Sequence, residues 1–111
     1  KLGTPTYTHD FSRNVNLLIE MGKTGLYNMA CKGEASRLEV AYELVNQLEL
    51  NGTVKINEVG SEYFQKDYFA PRPASERLIN ARLSEEGLDI MKDWKIALSE
   101  YLNETYPEYI N

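Results

Sequence analysis

The tetrapeptide Ser36-Arg37-Leu38-Glu39 most constrains what this chain can fold into. A serine three residues ahead of a glutamate lets each side chain satisfy a free backbone N–H of the other, the capping-box signature of a helix start. Ala41, Leu44, Val45 and Leu48 carry the apolar period on to about Glu49, and Asn51-Gly52 supplies a stop. Short apolar runs flank this helix. Leu26 to Cys31 lies between glycines, and Val54, Ile56 and Val59 alternate with polar residues, so both read as strands. Strand, helix and strand within about 35 residues predict a βαβ unit with a right-handed crossover and two parallel strands. The expected fold is therefore a small α/β domain.

Two further helices frame this unit. Phe11, Val15 and Leu18 share one face of a predicted helix from Thr8 to Met21, with Thr8 or Asp10 as cap and Gly22 as left-handed stop. Met91, Trp94, Leu98 and Tyr101/Leu102 mark a C-terminal helix over about Ile90 to Asn103, with Pro107 beyond it. Between them, Tyr63, Phe64, Tyr68 and Phe69 precede Ala70-Pro71-Arg72-Pro73-Ala74, whose prolines impose extended geometry. Leu78 and Ile79 read as a short edge strand.

At 111 residues and 42% hydrophobic the chain suits one domain, residues 1–111, with a modest core. Twelve Lys and Arg against 17 Asp and Glu give a net charge of −5, which repels a phosphate backbone and argues against nucleic-acid binding. No apolar run is long enough to span a membrane, and the first residues show no signal-peptide core. A single cysteine and a single histidine give neither a disulfide framework nor a zinc ligand set, so no metal is expected. Cys31 reads as a small core residue and His9 as a solvent-facing one. The sequons at Asn51 and Asn103 read as coincidences of composition.

The missing motifs are equally informative. There is no Gly-x-Gly, and no tyrosine is followed four residues later by lysine. Gly22-Lys23-Thr24 imitates the end of a phosphate-binding loop, but Leu17 stands where that motif requires glycine. Arg72, held between two prolines, reads equally as a phosphate clamp or as an ion pair pinning its arm.

Four segments carry a resemblance. Gly3-Thr4-Pro5-Thr6-Tyr7 with Asp10-Phe11, the run Gly25 to Ser36, Ala70-Pro71-Arg72-Pro73-Ala74-Ser75 with Leu78 and Leu83, and Asp93-Trp94 with Ala97-Leu98 and Tyr101-Leu102 resemble, in order, segments of the dTDP-4-dehydrorhamnose reductase family. That family belongs to the extended short-chain dehydrogenase/reductases. Asn28 departs from it, since histidine is common there.

The resemblance implies a parent of about three hundred residues. Its Rossmann domain, binding NAD or NADP and carrying the catalytic Tyr-x-x-x-Lys, lies upstream of Lys1. These 111 residues then form the C-terminal substrate-binding portion of an extended Rossmann-type reductase. They hold no catalytic residue, bind no cofactor unaided, and are expected to turn over nothing alone. The implied partners are a sugar-nucleotide substrate, the missing Rossmann domain and a second copy as homodimer, in the cytoplasm. Thr4, Pro5, Thr6 and Tyr7 are the expected pocket wall, and Arg72 the expected diphosphate contact. A related epimerase or dehydratase, or a non-catalytic regulatory relative, shares the same domain plan.

Overall fold

A computed structural model describes residues 1–60 and 73–109. The order is β1 (Leu2–Gly3), α1 (Thr8–Glu20), β2 (Ala35–Ser36), α2 (Arg37–Gln47), α3 (Ala81–Glu85), α4 (Trp94–Thr105) and a 3₁₀ turn at Pro107–Tyr109. The arm at Arg72 and the aromatic run 63–69 lie outside the described residues.

α2 begins as its capping box dictates. Ser36 Oγ accepts from Glu39 N–H, and Glu39 reaches back to Ser36 N–H. Its stop differs from the expected Asn51-Gly52. Glu49 takes the left-handed conformation at φ 57°, while its N–H donates to Asn46 C=O and Leu50 N–H donates to Val45 C=O. α1 closes with the same pair of bonds around Gly22, whose φ of 66° suits glycine. α4 starts at Trp94 and not Ile90, because Asp93 caps it by accepting from Lys95 N–H at 2.9 Å.

The sheet corrects the sequence reading. The two strands are β1 and β2, and they pair antiparallel, Leu2 opposite Ser36 and Gly3 opposite Ala35. Leu2 also forms a parallel bridge to Ser75. The expected parallel βαβ unit does not form among the described residues, where neither 26–31 nor 54–59 joins a ladder. The reason is competition for backbone groups. Asn80 pairs with both the N–H and C=O of Ala30, at 2.9 and 2.7 Å, and Thr6 Oγ accepts from Cys31 N–H at 3.1 Å. Lys32 then pairs with the 92–94 segment, through Lys32 N–H to Lys92 C=O and Trp94 N–H to Lys32 C=O. Val54 N–H turns back to Leu50 C=O, which draws the second segment into a turn. Leu78 and Ile79 likewise form no strand, and α3 follows them.

The core is a cluster of Cys31, Ala35, Met91, Trp94 and Ala97, with Tyr7, Met29, Val40 and Leu98 packed on it. α1 departs from its expected face. Asp10, Asn14 and Leu18 are buried, whereas Phe11 is 45% exposed.

Candidate functional site

The loop between β1 and α1 is held from both sides. Thr6 Oγ donates to Thr4 C=O at 2.8 Å while accepting from Cys31 N–H, which ties the loop to the 30–31 segment. Pro5 fixes its own φ between them. Tyr7 precedes α1 in extended geometry, and its hydroxyl donates to Glu104 on α4 at 2.7 Å. His9 Nδ1 lies 2.7 Å from the Tyr7 hydroxyl and 3.1 Å from the Glu104 carboxylate. Partial burial and the adjacent Glu104 carboxylate push the Tyr7 phenol up to about 12.

Beneath this loop lies a groove of about 270 Å³, lined by Pro5, Thr6, Tyr7, Thr8, Val40, Trp94, Ala97, Leu98 and Tyr101. Trp94 and Ala97 are buried and belong to the core. Tyr7 and Tyr101 meet edge to face, with ring centroids 5.6 Å apart. Thr6 and Thr8 are exposed and bring hydroxyls to the groove. No lining residue is charged. An apolar concavity with aromatic walls and a few hydroxyls suits a flat or ring-shaped ligand body of modest polarity.

Of the expected site residues, Pro5, Thr6 and Tyr7 line this groove, while Thr4 supports it through its carbonyl. Arg72 lies outside the described residues. The sequence reading missed Val40, Trp94, Leu98 and Tyr101 as lining residues. Their spacing carries only a helix-core signal, and nothing local separates a groove wall from a core contact.

A charged network ties α1 to α4 through Lys92. Asp10, 2% exposed, accepts from Arg13 at 2.8 Å and stands 3.3 Å from Lys92 Nζ. Glu100 on α4 accepts from the same Lys92 and, at 2.7 Å, from Arg13. The Lys92 and Arg13 hydrogen bonds hold the Glu100 carboxyl well below the usual range, at about 2. A depressed carboxylate pKa contributes stability that is present above the unfolded value and lost as pH falls through the folded one. Unfolding midpoints in urea should therefore fall between about pH 4.5 and about 2. Glu100→Gln should flatten that part of the profile, and an unchanged slope would remove Glu100 as its source.

Cys31 and His9 do not form a nucleophilic pair. The buried thiol faces Asp10, with Sγ to Oδ2 at 3.8 Å, and burial pushes its pKa up. His9 is engaged by Tyr7 and Glu104. No group of three or more His, Cys, Asp or Glu that could hold a metal ion occurs among the described residues. No described helix is long and apolar enough to cross a membrane.

The N–H groups opening α2 are partly spent on its capping box. A Cβ on Gly33 would lie 3.0 Å from Trp94 Cδ1 and 3.1 Å from Asp93 Oδ2, so the missing side chain there lets the loop pack closely on the start of α4.

This fold is shared with sugar-nucleotide reductases. The dTDP-4-dehydrorhamnose reductase of Clostridium acetobutylicum matches with a TM-score of 0.81 and 29% identity, over 94% of this chain and 36% of that one. The dTDP-4-dehydrorhamnose reductase of Bacillus anthracis, solved in complex with NADP, matches with a TM-score of 0.82 and 26% identity, over 95% of this chain and 35% of that one. The chain thus spans little more than a third of either enzyme. Residues 1–106 match the RmlD substrate binding domain, and the chain belongs to that family. No curated protein matches it.

Proposed function

We propose that this chain is the substrate-binding part of an NAD(P)H-dependent, dTDP-4-dehydrorhamnose reductase-like enzyme. That enzyme reduces the 4-keto group of a nucleotide-linked deoxysugar. The observation that carries this reading is the family match across residues 1–106, falling on a chain whose uncharged groove lies under the Gly3–Tyr7 loop. The nicotinamide, bound by the upstream domain, supplies the hydride. The residues here bind and orient.

In this reading Pro5, Thr6 and Tyr7 wall the groove, Thr4 holds the loop's shape, and the ring-shaped part of the ligand sits against Tyr7 and Tyr101. Fixing the sugar against the hydride donor is a proximity effect, and such effects are worth several kcal/mol of barrier. The groove lacks a cation for the diphosphate, and Arg72 is the residue assigned to that charge.

Two measurements on the full-length protein test this. It should oxidise NADPH or NADH in the presence of dTDP-4-dehydrorhamnose, and failure with both cofactors would remove the reductase assignment. Arg72→Ala should weaken sugar-nucleotide binding by about 1.5–3 kcal/mol, the worth of a charge-assisted hydrogen bond. An unchanged Kd with a lowered Tm would instead make Arg72 a pin for its arm.

A further inference from the structure

One acidic residue stands where its helix does not favour it. Glu104 lies in the last turn of α4, where free carbonyls concentrate partial negative charge, so its carboxylate is repelled by its own helix. A pair of donors from the other end of the chain offsets this. The Tyr7 hydroxyl donates to Glu104 Oε2 at 2.7 Å, and His9 Nδ1 lies 3.1 Å from the same oxygen. These partners are 97 and 95 residues away in sequence. A residue placed against its local preference and compensated from so far points to a role beyond the helix that carries it.

The protons of this cluster follow from its geometry. A phenol has a single O–H, and here the carboxylate takes it. His9 Nδ1, 2.7 Å from the phenol oxygen and 3.1 Å from the carboxylate, faces two acceptors, so it carries a hydrogen and donates. The rings fit the same arrangement. The His9 imidazole lies 4.6 Å from the Tyr7 ring centroid at a tilt of 34°, and Tyr101 meets Tyr7 edge to face. Tyr7 and Tyr101 line the groove, whereas His9 and Glu104 stand outside its lining. Tyr7 is therefore held at its hydroxyl by groups behind the wall, with its ring left as the wall. Stability is not what this clasp chiefly supplies. The His9 and Glu104 side chains are 57% and 43% exposed, and exposed ion pairs contribute little.

We propose that Glu104 is a positioning residue for ligand binding: with His9 as second donor, it fixes the Tyr7 hydroxyl and so sets the ring face that Tyr7 presents to the sugar. This rests on the functional reading above and adds two residues that act through Tyr7 from outside the groove. The physical gain is preorganisation. A tyrosine anchored at both its backbone and its hydroxyl keeps one ring orientation, so the ligand need not order it on binding. Partial burial and the adjacent carboxylate also keep the phenol protonated, and therefore a donor.

The test is calorimetric binding to the full-length protein, with dTDP-4-dehydrorhamnose and with dTDP, which lacks the keto sugar. Glu104→Ala should weaken the sugar nucleotide by about 3–10-fold, the cost of ordering one freed side chain, and leave dTDP unchanged. Glu104→Gln, whose amide oxygen still accepts, should recover most of that loss. Tyr7→Phe keeps the ring but not its anchor, so it should match Glu104→Ala, and the double variant should bind no more weakly than either. An unchanged Kd for Glu104→Ala, losses that multiply in the double variant, or an equal loss for dTDP would each overturn the proposal. Nitrogen-15 resonance of labelled histidine reads the clasp without ligand. In the neutral ring His9 should carry its proton on Nδ1, and Glu104→Ala should move it to Nε2. A proton already on Nε2 in the unaltered protein would also overturn the proposal. Unaltered protein that binds no dTDP-linked sugar would remove the functional reading and this inference with it, whereas binding that Glu104→Ala leaves intact removes the inference alone.

Discussion

Replacing Trp94 by alanine is expected to lower the free energy of unfolding by about 3–5 kcal/mol, the range for emptying a buried aromatic site. Against a total of about 5–15 kcal/mol for a natural domain, this takes much of what there is. The indole is 5% exposed and packs with Cys31, Ala35, Met91 and Ala97. It also borders both the groove under the Gly3–Tyr7 loop and a more polar one of about 400 Å³ lined by Glu39, Tyr42, Glu43, Asn46, Asn51 and Lys95. The change therefore acts on packing and on the site together. Trp94→Phe separates the two by restoring part of the lost volume. Urea unfolding of the full-length protein reads the effect. A loss below about 1 kcal/mol for the alanine variant would mean that the indole is a surface platform and not a core residue.

Asn14→Ala is expected to cost about 2–4 kcal/mol, although asparagine in mid-helix is ordinarily a weak position. The side chain is fully buried at 0% exposure. Its amide donates to Leu88 C=O at 2.9 Å, and its carbonyl accepts from Ile90 N–H at 3.1 Å. Truncation strands two backbone groups of the segment leading into α4, each at the cost of a buried unsatisfied partner. Asn14→Leu restores the volume without the bonds, so it should be destabilised to a similar degree. If leucine proves as stable as the native asparagine, packing and not hydrogen bonding holds this joint.

These two residues show what was and was not legible in the sequence. Some helix ends were, where the signal is local, although α1 starts after Tyr7 without the side-chain cap expected of Thr8 or Asp10, α2 stops before Asn51-Gly52, and α4 starts at Trp94 and not Ile90. The Ser36–Glu39 box, the glycine stop at Gly22 and the stretch from Trp94 onward depend on neighbours within one turn. Glu49 breaks the pattern by taking a left-handed stop without glycine, and no sequence cue marks that. α3, five residues long, has no room for a period, although Gly87 at φ 69° stops it as Gly22 stops α1.

Strand pairing was not legible. The apolar runs at 26–31 and 54–59 fit a βαβ unit by composition, but pairing is decided by distant groups. Asn80 reaches Ala30 from 50 residues away, and Thr6 reaches Cys31 from 25. The same limit hid the buried face of α1. Periodicity selected Phe11, Val15 and Leu18, whereas the partners that bury Asp10 and Asn14 are Lys92, Leu88 and Ile90, more than 70 residues on. For the candidate site, resemblance pointed to the Gly3–Tyr7 loop, of which Pro5, Thr6 and Tyr7 line the groove. The wall facing it, Leu98 and Tyr101, was disguised as an ordinary helix core.

The proposed ligand site is the groove between the Gly3–Tyr7 loop and α4. Hydrogen–deuterium exchange on the full-length protein, with and without a saturating dTDP-linked deoxysugar, tests that directly. Slower amide exchange on binding in the peptides covering residues 3–9 and 94–102 is the expected result. A sugar nucleotide that binds while leaving both peptides unchanged would contradict it.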